Sequence, residues 1–322
     1  MMLLAGLSVW PAAASAQDYE TEEELNQKVD PDGIFDFLHF RSYSNTMNVI
    51  ATVKVGGEEV TDAIVTTYAS DGIRSKDVID TDDGVYYLTI FGDGSVPLVF
   101  KVYTGGNIIE VDQGLTFVND GMVGLDEPYV IDLPAPVTGT LTTEGYGTMC
   151  VPFDARIPDG VKAYFTTGIE GTALKLQEIT DGVVPKETGV LVKGPGKAEV
   201  AWCATVTTPT ADASVNKFVG TTAKTSVKAN SVLTLGYAKD GDKQGKLGFW
   251  RYTGKTIAAN RAYVKDFPAG SRGYDFTMEE ATGIRPAIVR PVNEDTYDLQ
   301  GRRVSVLKPG VYIRGGKKYV VR

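Results

Sequence analysis

Few residues in this chain have the type and spacing that chemistry demands. The only histidine, His39, sits in an aromatic run at residues 35–40. One imidazole cannot build a multi-histidine metal site. With no Gly-x-Ser-x-Gly elbow in the sequence it also lacks an activated serine to serve, so a packed or edge position is expected for it. Asp80, Asp82 and Asp83 offer hard oxygen ligands, but a calcium loop of the EF-hand kind would need glycine at its sixth position, where Val85 stands, and glutamate at its twelfth. A solvated turn before a strand is expected there, and Asp240-Gly241-Asp242 reads the same way. A glycosidase pair would need two carboxylates about 5 to 9.5 Å apart in a cleft, which spacing along the chain does not reveal. Neither a phosphate-binding Gly-x-x-x-x-Gly-Lys-Ser/Thr loop nor a strand-to-helix Gly-x-Gly-x-x-Gly turn is present. These patterns assign no catalytic residue, no metal ligand and no cofactor, and the chain reads as non-enzymatic.

Aromatic side chains are the remaining candidates for a site. Alternation along Leu247-Gly248-Phe249-Trp250-Arg251-Tyr252 puts Trp250 and Tyr252 on one side of a strand and Leu247, Phe249 and Arg251 on the other. If the first pair faces solvent with Tyr237 or Tyr263 nearby, it makes a flat platform for sugar rings or a protein partner. The competing reading buries Trp250 in a core, where large aromatics contribute most.

The elements that must position these residues read as strands. Thirty-six glycines and abundant Thr, Val and Tyr favour short strands with frequent turns, and no window outside the first residues carries a helical stripe. The expected class is all-β: two β-sandwich-like domains, immunoglobulin-like or partly closed barrels, followed by a small C-terminal β-hairpin.

Met47, Val49, Ala51, Val53 and Val55 alternate with Asn48, Thr52 and Lys54 in a half-buried strand that stops at Gly56-Gly57. Residues 85–91, the turn Gly92-Asp93-Gly94 and residues 98–103 make a hairpin candidate, and Thr104-Gly105-Gly106-Asn107 turns the chain again. Leu133-Pro134-Ala135-Pro136 cannot continue a strand ladder and places a boundary between domains at 30–133 and 137–278. In the second, Val161/Ala163/Phe165 and Val190/Val192 supply inward rows. Val200, Trp202, Ala204 and Val206 share one face of a strand, which puts Cys203 on the other. Cys150 is expected inside, so the two cysteines are expected as free thiols.

Residues 2–10 are apolar and Ala14-Ser15-Ala16 is a small-x-small cleavage pattern, so residues 1–16 read as a secretory signal peptide; the lack of Lys or Arg ahead of the apolar stretch leaves open a true start upstream of Met1. The stretch is too short to span a bilayer. An acidic spacer, residues 17–29, follows. No cysteine lies near the cleavage site to carry a lipid. From residue 284 onward nine Lys/Arg stand against three Asp/Glu, a charge of +6, whereas the whole chain carries −9, which leaves −15 for what precedes it. That acidic balance argues against nucleic-acid partners.

The basic end carries a pattern: Tyr297-Asp298-Leu299-Gln300-Gly301-Arg302, then Pro309-Gly310-Val311-Tyr312-Ile313, then Lys317-Lys318. It resembles the C-terminal sorting tails of secreted and surface proteins of Bacteroidales bacteria, though it is shorter than the family's full sorting domain. Residues 86–94, 100–103 and 125–129 resemble a β-domain recurring in such extracellular proteins. The succession from Gly145-Tyr146 through residues 184–194 to 257–264 resembles a module of their surface proteins, leucine-rich-repeat adhesins among them. The resemblance implies export by type IX secretion machinery, a location in the medium or on the cell surface, and adhesion or another extracellular interaction, with a glycan or a host or matrix protein as partner. A carbohydrate-binding module, or a glycoside hydrolase accessory protein, is the alternative.

Overall fold

The computed structural model describes Phe35, residues 43–80 and 84–278, and three further strands at 296–298, 310–314 and 317–321, with only the backbone given for 76–80, 277–278 and those last strands. The fold is all-β; a single short 3-10 turn, Ala213–Val215, is the helical exception among the described residues. The chain divides into two compact units, Met1–Glu279 and Glu280–Arg322.

The first half of the larger unit is a pair of sheets closed over one core. Strand β1 (Asn45–Val55) alternates as its sequence requires, with Met47, Val49, Ala51 and Val53 buried and the residues between them half-exposed. It ends where Gly56 and Gly57 take left-handed φ of 61° and 89°. Strands β2 (Ile64–Ala69), β3 (Ser75–Asp80), β4 (Val85–Gly92), β5 (Val99–Thr104), β6 (Asn107–Val111) and β7 (Tyr129–Leu133) complete the framework. One sheet runs β7-β1-β4-β3, with β7 parallel to β1; the other runs β2-β5-β6. Tyr86, Leu88 and Ile90 from the first sheet meet Val65, Phe100, Val102 and Ile109 from the second.

The hairpin expected around Gly92-Asp93-Gly94 does not form. β4 pairs with β1 and β3, while β5 pairs with β2 and β6 in the opposite sheet. Both strands carry an apolar row, and each buries it against the other across the core instead of side by side. The turn at residues 104–107 does join a hairpin, with Thr104 opposite Asn107.

In the second half, β8 (Val137–Thr140), β9 (Tyr146–Met149), β10 (Ala155–Arg156), β11 (Lys162–Glu170), β12 (Ala173–Glu178), β13 (Val190–Lys193) and β14 (Glu199–Ala204) come first. They are followed by β15 (Phe218–Thr221), β16 (Leu233–Tyr237), β17 (Leu247–Arg251), β18 (Arg261–Val264) and β19 (Gly273–Met278). A small sheet contains β8-β14-β10. A nine-stranded sheet, ordered β9-β13-β11-β12-β19-β17-β16-β18-β15, curls until it nearly closes. The rows Val161/Ala163/Phe165 and Val190/Val192 do face one core, shared with Val200 and Trp202 of β14. Tyr164 and Leu191 point the other way, into a second core inside the curl with Leu233, Phe249 and Val264. The apolar row of β14 breaks at its end: Ala204 packs into the core of the first half, and Val206, beyond the strand, is exposed.

The two halves meet at β6, β10 and β14. On β6, Ile109 faces the first core, so alternation turns Glu110 towards the second half, where it is 5 % exposed. Its Oε1 accepts from Lys101 and Arg156, both at 2.9 Å, and its Oε2 from the Thr205 hydroxyl at 2.6 Å and the Val206 N–H at 3.3 Å. Cys203 and Phe153 pack beside this cluster against the first core. The smaller unit is a three-stranded antiparallel sheet: β20 (Thr296–Asp298), β21 (Gly310–Arg314) and β22 (Lys317–Val321), in which β21 and β22 form the expected terminal hairpin.

Burial by itself would raise the Glu110 pKa, but the Lys101 charge, the hydrogen bonds from Thr205 and Lys101 and the Arg156 charge outweigh it and hold the carboxyl below its ordinary 4.5. A depressed folded pKa stabilises fully above the unfolded value and is lost as pH falls through the folded one. Glu110→Gln is therefore expected to lower the unfolding free energy by about 2 kcal/mol at neutral pH and to shrink the difference from wild type in acid. Coincident denaturation curves at neutral pH would show that the cluster contributes nothing.

Candidate functional site

Trp250 lies on the outer face of the curled sheet, opposite Phe249, which is fully buried inside it. Its cross-strand neighbours on that face are Thr234 of β16 and Gly273 of β19; one register step along come Gly236, Gly248 and Asp275. Glycine at these positions leaves the sheet bare, and the indole lies down on it. A Cβ built on Gly248 would stand 3.0 Å from the six-membered ring of Trp250, and one built on Gly273 would stand 2.4 Å from it. The indole N–H donates to the Lys246 carbonyl at 3.0 Å, which points the ring back along its own strand. One ring face is thus spent on glycine backbone. The indole also lines a cleft of about 950 Å³.

The walls of this cleft come from four places: the β11–β12 turn with Gly171 and Thr172, the loop between β16 and β17 that bears Lys239, Asp240 and Lys243, the end of β17, and the approach to β19 with Pro268, Ser271 and Arg272. Two ion pairs stand in and beside it, while Lys239 and Asp242 line it without one among the described residues. Lys243 binds Asp275 Oδ2 at 2.9 Å with its ammonium 6.0 Å from the Trp250 ring centre, and Arg272 lies 3.3 Å from Asp240. Arg251 is held by the carbonyls of Ser271 and Asn230 and stacks on Phe267. The other oxygen of Asp275, Oδ1, is buried and has no hydrogen-bond partner among the described residues.

The aromatic residues considered from the sequence separate. Tyr252 stands beside Trp250 at the cleft, but its ring covers Gly254, its hydroxyl donates to the Thr256 carbonyl at 2.8 Å, and it packs on Val232 and Ile257. Tyr263 is buried in that same cluster. Tyr237 is 45 % exposed, yet register places it in the row of Leu233 and Leu235; it reaches the cleft only as a rim residue at the strand end, where its hydroxyl donates to Glu144. That hydrogen bond is the main cause lowering the Glu144 pKa and raising that of Tyr237. A flat platform of three rings is not formed; one indole on a glycine floor takes its place. Alternation could not supply Gly273, Asp275 and Lys243, although the Gly-x-Trp spacing of Gly248 and Trp250 was a visible hint.

His39, Asp82 and Asp83 lie outside the described residues, as does the Asp80 side chain. Among the described residues no group of three or more His, Cys, Asp and Glu is placed to hold a metal ion, and no helix is long and apolar enough to cross a membrane. Cys150 and Cys203 are free thiols. Burial first, and the Glu187 charge second, push the Cys150 thiol up to about 11. In the tail, Tyr297 pairs with Ile313, Asp298 with Tyr312, Tyr312 with Tyr319, Ile313 with Lys318, Arg314 with Lys317 and Gly310 with Val321. Leu299, Gly301, Arg302 and Pro309 lie outside the described residues. Comparison of the chain with protein-family models, with curated proteins and with solved structures finds no match.

Gly248→Ala would drive a methyl group to 2.7 Å from the Tyr274 carbonyl and into the indole. Overpacking of this kind costs about 1–3 kcal/mol, so the variant is expected to melt earlier and to show Trp250 more open to acrylamide quenching. An unchanged melt and quenching constant would show that the ring does not rest on this glycine. Cys150 is expected to resist iodoacetamide in the folded protein at pH 8 and to react once denaturant is added; modification at equal rates in both states would contradict its burial.

Proposed function

We propose that this is a secreted or surface-displayed, non-enzymatic protein whose β-rich body mediates adhesion or another extracellular interaction and whose basic C-terminal unit is read by export or anchoring machinery. The observation that carries the reading is the tail. Residues 280–322 make a compact unit of their own, and the Tyr-Asp-Leu-x-Gly-Arg and Pro-Gly-Val-Tyr-Ile patterns fall on and around its three paired strands. A small sheet with its own hydrogen-bond ladder can present a fixed edge to a receptor while the rest of the chain varies. Its charge of +5 against −14 for the preceding residues gives it an electrostatic character of its own.

The body suits a binding role. Its cleft offers one aromatic face, threonine and serine hydroxyls and two ion pairs in or beside its wall, which is a surface for holding a ligand. The glycine-seated Trp250 favours the carbohydrate-binding alternative over a purely structural role for the second half.

A fusion of residues 280–322 to a reporter with a periplasmic leader, expressed in a host with type IX machinery, is expected to appear in the medium or on the cell surface. Substituting Gly310 and Tyr312 together is expected to return it to the periplasm. Retention of the unaltered fusion in the periplasm of a competent host would refute the export reading.

A further inference from the structure

We propose that the cleft over Trp250 is a binding site for a neutral pyranose ring, an inference that rests on reading the body as a binding module. The argument starts from the indole. It lies parallel to the sheet because Gly248 and Gly273 leave room beneath it, and its N–H is occupied by the Lys246 carbonyl. What the ring offers a ligand is therefore a flat apolar face with no hydrogen-bonding edge. A pyranose with mostly equatorial hydroxyls has a matching face of C–H groups, polarised slightly positive, which suits the negative face of an aromatic system.

The surroundings of the ring fit the rest of such a ligand. Sugar hydroxyls radiate in the plane of their ring and need donors and acceptors at its edge, not above it. Lys243 holds its ammonium over the indole, 6.0 Å from the ring centre, and pairs with Asp275 one register step along the sheet, which keeps one carboxylate oxygen, Oδ1, without a hydrogen bond among the described residues. An adjacent pair of hydroxyls can bridge an ammonium and a carboxylate together. Lys243 sits on the loop between β16 and β17, half-buried, and its pairing is with the other oxygen, Oδ2. Thr234 and Thr172 supply further hydroxyls from the cleft wall.

Charge near the indole favours a neutral ligand. Lys243 is matched by Asp275 and Arg272 by Asp240, while Arg251 is consumed by two backbone carbonyls and the Phe267 ring. A neutral polyol can hydrogen-bond to these paired groups as they stand, and Lys239 and Asp242, which line the cleft without an ion pair among the described residues, carry opposite charges. The cleft, at about 950 Å³, has room for more than one sugar unit, so an oligosaccharide is expected to bind better than a monosaccharide.

The test is titration calorimetry of the full chain with neutral hexasaccharides of glucose, mannose, galactose and N-acetylglucosamine, with hexagalacturonate and a proline-rich peptide as comparison ligands. At least one neutral hexasaccharide is expected to bind, with Trp250→Ala weakening it by about ten-fold or more and Lys243→Ala or Asp275→Asn by several-fold. Cooperative melting of each variant shows that the fold is kept, and Trp250→Phe, which restores a smaller flat face, is expected to recover part of the affinity. Silence of every neutral hexasaccharide at about 10 mM, preference for the acidic sugar or the peptide, or binding unchanged in Trp250→Ala would each overturn the inference. The display reading is scored separately by the reporter fusion, so a protein that is exported yet ignores saccharides would lose this inference alone.

Discussion

Two strands carry burial on both faces, and both cores of the second half depend on them. β11 sends Ala163 and Phe165 into one core and Tyr164 into the other; β13 sends Val190 and Val192 one way and Leu191 the other. A strand exposed on one side can tolerate polar residues in alternate positions, whereas on these two a polar group turned either way loses its water and needs a partner inside the protein, as the buried Thr166 of β11 finds in the Lys175 carbonyl. The runs Ala163-Tyr164-Phe165 and Val190-Leu191-Val192 answer that demand with continuous apolar sequence. With these strands fixed as a shared wall, the nine-stranded sheet curls away from it, and its far side, β16, β17 and β19, presents the outer face on which Trp250 lies.

The connection between the halves follows a different logic. An apolar joint would need only bulk, but Glu110 is a buried acid whose two oxygens are distributed among Lys101 of its own half and Arg156, Thr205 and Val206 of the other. Such an arrangement accepts one relative placement of the partners, since displacement by a bond length leaves a charge without its complement. Specific orientation, more than net stability, is what a buried ionic cluster of this kind contributes. It also explains why the proline-rich stretch between Leu133 and Val137 does not leave the halves to move as beads on a string; both lie in one compact unit.

What the sequence disclosed is governed by period-two alternation. The burial of β1, its termination at Gly56-Gly57, the inward rows of β11 and β13, and the placement of Cys203 on the strand face opposite Trp202 could all be read because each is a property of one strand. Which strand lies beside which is another kind of information. Val85–Gly92 and Val99–Thr104 look like neighbours in a hairpin, yet they stand in opposite sheets, and nothing local distinguishes the two outcomes. The parallel partners of β1 and β12 come from residues more than seventy positions away. For the same reason Trp250 was visible as a candidate while its floor and its charged edge were not: Gly273 and Asp275 reach it only through the pairing of β17 with β19. Glu110, set among Ile108, Ile109 and Val111, gives no sign in sequence of the four partners it finds.

The last strand of the body, β19, is threaded between a parallel neighbour, β12, and an antiparallel one, β17, rather than added at a free margin. Were the protein tethered by its C-terminus while its ligand was dragged by flow, tension would enter at the end of β19 and act along its length. The rungs to β12 at residues 275–278, and behind them those to β17 at 273–274, would then be strained in shear, a geometry that resists rupture far better than peeling one rung at a time. The order of strands thus makes the body suited to bearing mechanical load.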